Sequence, residues 1–152
     1  MPESSRPTIA EITSALEQLA DRVARSESDV LEPFVSHTLR AAVNALEYYI
    51  PGLDPAPDEE AARGLLRGAD AALKRGADRE ALERALRGLA CAPHHPGLWY
   101  AAGSACFELG QVEDALRVLC HVLWIHPGHR AARADLEALT AFFDGEEGDR
   151  AA

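Results

Sequence analysis

Landmarks in the second half of the chain recur at one separation, and that period limits the possible folds more than any other feature. Pro127 falls 34 residues after Pro93, Ala115 after Ala81, Leu116 after Leu82, Gly110 after Gly76 and Trp99 after Leu65. Coincidences without an insertion mean that one short supersecondary unit is used twice. The texture inside each unit is helical. Apolar residues recur three and four apart over segments of about 12 to 15 residues, each ended by glycine or proline. The segments are 59–75, 78–92, 98–109, 112–125 and 130–143.

Residues 1–50 do not extend the period, because Glu47 stands where Ala81 and Ala115 lie. They spell a different pair of helices. Ile9, Ile12, Leu16, Leu19 and Val23 form one narrow apolar stripe. After "SESD", a second helix starts near Pro33 and carries Phe34, Val35, Leu39, Val43, Leu46 and Ile50 on a broad apolar face. "PGLDPAPD" then forbids continuation, since its prolines remove backbone donors. The expected organisation is all-α: a helical pair at 1–50, a proline-rich linker at 51–58, a short solenoid at 59–143 and a frayed acidic tail at 144–152. Gly64, Gly68 and Ala72 leave one side of the first solenoid helix smooth, and the second N-terminal helix is expected to dock there. Each glycine costs about 1 kcal/mol in a helix interior, and close docking would offset that.

The charge narrows the partners. The 152 residues carry a formal net charge of −10 at pH 7, which disfavours nucleic acid or an anionic membrane. No apolar run approaches the roughly 20 residues of a membrane-spanning helix. The N-terminus lacks the basic and apolar regions of a secretory signal. Three cysteines cannot all pair, so reduced thiols and a cytoplasmic location are expected.

Segment 96–129 resembles the tetratricopeptide repeat family, whose pattern is W-x2-L-G-x2-Y…A-x3-F…P. Trp99, Gly103, Ala115 and Pro127 match it, whereas Ala102, Cys106 and Leu119 replace its leucine, tyrosine and phenylalanine. Segment 62–95 is a weaker copy that keeps Ala81 and Pro93 but has Leu65 and Ala69 for the tryptophan and glycine. The resemblance implies two helix pairs and a solvating cap with Ala132, Leu136 and Leu139. Small Gly103 and Ala115 would let the helices approach, with Trp99 wedged between them and Pro127 ending the unit. It also implies a concave groove for a peptide or partner helix, lined by Arg63, Leu66, Asp70, Leu73 and Lys74 from the weaker copy. Tyr100, Ser104 and Phe107 would come from the stronger copy and Ala134 and Ala138 from the cap, with the two aromatics as anchors. The basic and asparagine clamp that some members close on an acidic C-terminal peptide is missing, because Leu66, Asp70, Ser104, Ala134 and Ala138 occupy its positions.

No chemistry competes with that reading. The sequence has neither a glycine-rich phosphate loop nor H-E-x-x-H, and adjacent Cys120 and His121 diverge by about 100° on a helix. Cys91, Cys106 and Cys120 are expected to pack as small apolar residues. His94, His95, His126 and His129 fall at turns about one helix spacing of 8–10 Å apart, too far to converge on one zinc ion. No catalytic residue, metal or cofactor is assigned. The expected function is a non-enzymatic adaptor, scaffold or chaperone for a protein or peptide partner. The alternatives are an assembly protein that dimerises through its N-terminal helices, or a type III secretion chaperone for translocator proteins, which is similar in size, acidity and layout.

Overall fold

Gly76 and Gly110 carry positive φ angles of 76° and 81°, and each closes a helical hairpin. The computed structural model describes residues 6–26, 31–51 and 57–151. One hairpin joins α3 (Glu59–Lys74) to α4 (Asp78–Cys91), the other α5 (Pro96–Glu108) to α6 (Val112–Ile125). At both turns the chain reverses in the same way. The N–H of Ala77 donates to the Ala72 carbonyl at 2.8 Å and that of Gln111 to the Cys106 carbonyl at 2.8 Å. These bonds satisfy carbonyls that a helix end leaves bare, and only glycine adopts the intervening conformation without strain.

The exits of the second helices also correspond. Ala92 leaves α4 at φ −146°, ψ 83°, and His126 leaves α6 at φ −138°, ψ 85°. His95 and His129 follow as N-caps. The His95 Nδ1 accepts from the Leu98 N–H at 3.2 Å, and the His129 Nδ1 from the Ala132 N–H at 3.1 Å. These two histidines, conspicuous in the sequence as possible ligands, satisfy orphan donors at the starts of α5 and α7 (Arg130–Ala151).

Two helices precede the hairpins. In α1 (Ile9–Arg25), Thr8 caps the first turn by accepting from the Glu11 N–H at 3.1 Å. Its apolar stripe is fully used inside the chain: Ile12, Leu16, Leu19 and Val23 are buried, and α1 packs mainly on α4. The second helix, α2 (Pro33–Leu46), packs on α1 and α6. Polar contacts hold the same interfaces. Arg87 of α4 reaches Asp21 at 2.9 Å, Arg79 donates to the Ser26 carbonyl, and Ser36 donates to the buried Asp114 of α6 at 2.5 Å. One continuous core of buried residues runs from Ile12 to Ala132.

Three expectations need correction. The Gly64–Gly68 face does not receive α2. A Cβ on Gly64 would meet nothing nearer than Arg67 at 4.0 Å, and one on Gly68 would meet the Arg84 guanidinium at 2.6 Å. The N-terminal pair lies instead on α4 and α6, whose Leu82, Leu86, Leu89 and Val122 offer far more apolar surface. Next, α2 stops at Leu46, before Ile50: the N–H groups of Tyr48 and Tyr49 reach back only three residues, to Ala45 and Leu46, tightening the end. Finally, the last helix runs past 143 to Ala151, because no proline interrupts it after Pro127. Parts of the expected inter-helix break and linker, 27–30 and 52–56, lie outside the described residues.

Candidate functional site

With the N-terminal pair on the second helices, the opposite side of the hairpins is left open. There a cleft of about 620 Å³ lies between α5 and α7, floored by α6. Gly103, Ser104, Phe107 and Glu108 line it from α5, Val112 and Leu119 from α6, and Asp135, Ala138, Leu139 and Phe142 from α7. The lining is dominated by apolar groups, and its two charges, Glu108 and Asp135, are both acidic.

Local structure explains the opening. A Cβ on Gly103 would stand 3.2 Å from Val118 Cγ1, so the glycine lets α6 come close while leaving the cleft floor bare of side chain. At its first turns α7 is tied down by Ala132, which is buried, and by the Arg133 guanidinium on the Pro127 carbonyl at 2.8 Å. Farther along, Leu139 and Phe142 face the cleft. Phe107 is 46% exposed and Phe142 62%, a considerable amount of aromatic surface in water. At about 25 cal/mol per Å², covering such rings stabilises a complex by several kcal/mol before ordering costs.

The groove expected from the sequence is only partly assembled. Ser104, Phe107 and Ala138 share the cleft. Tyr100 does not line it: its hydroxyl donates to Asp135 at 2.5 Å and its ring lies 5.0 Å from that of His129. Burial, then the Asp135 carboxylate, push the Tyr100 phenol up to about 12, so it remains a donor. Tyr100 therefore braces α7 against α5. Leu66 and Leu73 pack on the core, Leu66 lying 3.1 Å from where a Gly97 Cβ would be, while Arg63, Asp70 and Lys74 are exposed on α3. The α3 residues belong to a neighbouring surface. Sequence reasoning missed the α7 contribution of Asp135, Leu139 and Phe142. Its signal was available in the spacing of Leu136, Leu139 and Phe142 on a helix read only as a solvating cap.

The cysteines differ from one another. Cys106 is fully buried, and burial pushes its thiol up to about 12, which leaves it an inert packing group. Cys91 is half-buried and Cys120 is exposed, contrary to the expected packing role for Cys120, because it lies on the side of α6 that its hairpin leaves uncovered. Among the described residues no three His, Cys, Asp or Glu side chains come together as a metal set. Among them, too, no helix is long and apolar enough to cross a membrane. No family model matches the sequence, and no curated protein matches it significantly.

Proposed function

We propose that this chain is a non-enzymatic interaction module of tetratricopeptide type that holds an apolar segment of a protein partner, peptide or helix, between α5 and α7. The observation that carries the reading is the cleft itself, with Phe107 and Phe142 exposed on facing helices above a floor of Leu119 and Val112. Concave apolar sites with aromatic anchors are where binding energy concentrates. The family reading rests on the landmarks spaced by 34 residues and on the matching turn geometry at Gly76 and Gly110. Self-assembly through the stripe of α1 has less support, since that stripe is buried within its own chain.

The test is partner capture by the full chain and by a Phe107→Ser/Phe142→Ser variant. Both side chains are exposed, so the variant is expected to melt like the parent. A loss of affinity of about thirtyfold is expected, the usual consequence of truncating anchors. Capture of the same partners at undiminished strength would move the binding surface elsewhere.

A further inference from the structure

A second cleft, of about 590 Å³, lies along the seam between α2 and α6. It is separate from the α5–α7 cleft, for it uses the other sides of α6: Glu113, Leu116, Arg117, Cys120, His121 and Trp124. Val43 and Asn44 of α2, with Glu47 at the helix end, form the facing wall. Its volume falls in the range of small-molecule sites, about 300–1,000 Å³.

The unusual member is His121. Its side chain is 2% exposed, it lines this cleft, and neither ring nitrogen has a hydrogen-bond partner among the described residues. A neutral imidazole carries one donor and one bare acceptor, and burying either without a partner is costly. Burial, and then the neighbouring His94, hold His121 well below the usual histidine range, at about 4, so near neutrality the acceptor is present and uncharged. Trp124 stacks on the ring at 5.6 Å and 15°, yet is itself 42% exposed, so the outer face of the indole is open to the cleft.

The charges around this platform favour a cation. Glu47 and Glu113 line the cleft without an ion pair among the described residues, against the single cation Arg117. The carboxyl end of α2 adds negative partial charge, and no basic residue occupies its last turn. A metal ion has too few ligands here. An ammonium group has only donors to offer, which complements two carboxylates, a bare imidazole nitrogen and an indole face.

We propose that the cleft between α2 and α6 binds a small organic cation, a protonated primary amine on a compact apolar body. The ammonium lies between Glu47 and Glu113, the apolar body lies on Val43, Leu116 and the Trp124 ring, and a slide of that ring exposes the His121 acceptor. The same amine chemistry could be supplied free or by a lysine side chain of a partner.

The experiment titrates the full chain near neutral pH with 2-phenylethylamine, with uncharged 2-phenylethanol as the matched control. Acetyl-lysine methylamide forms a third arm. Binding is read from the Trp124 indole and His121 ring resonances, with tryptophan emission as a second readout. The amine is expected to shift both sets saturably, with a dissociation constant of about 1 mM, and the alcohol to bind at least about tenfold more weakly. Glu47→Gln/Glu113→Gln, exposed carboxylates whose loss leaves the core intact, is expected to weaken the amine by about tenfold and to leave the alcohol unchanged. Tighter binding of the lysine amide than of phenylethylamine supports the same site with a protein side chain as its source. Equal binding of amine and alcohol, undiminished binding by the double glutamine variant, or no saturable shift would each overturn the proposal.

Discussion

Trp99 meets the ring of His121 edge to face, with centroids 4.9 Å apart and planes at 80°. The tryptophan is completely buried, and its indole N–H donates to the Pro93 carbonyl at 2.7 Å. One side chain therefore ties α5 to α6 and also to the turn that enters α5. Trp99→Ala is expected to cost about 3–5 kcal/mol, the range for deleting a large core aromatic. Urea melts would measure it, and a loss under about 1 kcal/mol would show that the hairpin closes without its wedge.

The partner ring makes stability depend on pH. Folded His121 takes up a proton only near pH 4, whereas an unfolded histidine does so near 6.5. Between these values the unfolded chain binds more protons, so stability rises with pH across the window. The contribution is whole above about 6.5 and is lost as pH falls towards 4, to the extent of about 3 kcal/mol. Burial lowers His95 as well, which adds a smaller change of the same sign. Urea midpoints between these pH values should fall steeply for the parent and less steeply for His121→Phe. Parallel curves would exclude a neutral, buried His121.

Two glycines separate close helix contact from mere tolerance. A Cβ on Gly88 would stand 2.6 Å from Leu98 Cδ2, inside the fully buried contact between α4 and α5. Gly88→Ala is expected to destabilise by about 1–3 kcal/mol through overpacking. Gly68 faces only the flexible end of Arg84, which can move aside. Gly68→Ala is therefore expected to be neutral or to stabilise by up to about 1 kcal/mol through helix propensity. Thermal melts of the two variants shifting in the same direction would contradict this division.

Asp114 holds the N-terminal pair in place. It is buried, accepts from Ser36 at 2.5 Å and lies 3.7 Å from Arg40. Asp114→Ala should cost about 1–3 kcal/mol, because it leaves these α2 partners without their acceptor. Hydrogen exchange should quicken in α2 more than in α3, which does not share this contact. Equal acceleration in both helices would mean that Asp114 supports the whole fold rather than the docking of α2.

Tyr100 should behave as a brace. Tyr100→Phe removes its bond to Asp135 and keeps the ring. We expect faster exchange in the first half of α7 and a modest loss of stability, about 1 kcal/mol. Protection of α7 equal to that of the parent would show that the phenol is dispensable to the cleft.

Helix number and positions were legible in the sequence because they depend on local rules. Gly76 and Gly110 end helices through their backbone freedom, Pro93 and Pro127 through a missing donor, and the three- and four-residue spacing of Ile12, Leu16 and Leu19 through helix geometry. The burial of Trp99 follows from the same local pattern, since a large aromatic on the inward side of a short hairpin has nowhere else to go. What faces what was not legible. Gly64 and Gly68 look like a docking face in one dimension, yet α2 lies on α6, where Ser36 finds Asp114 at a distance of 78 positions along the chain. The cleft, too, was only half visible: Phe107 could be placed on the open side of α5, but Asp135, Leu139 and Phe142 join it only because α7 folds back across α6. His121 and Cys120 show the limit best. Adjacent on one helix, one is sealed beneath Trp124 and the other is bare to solvent, a difference made by the elements packed around α6. Short-range backbone preferences act between neighbours and can be read off in order, whereas apolar burial has no direction and is settled only by competition among all the surfaces the helices present.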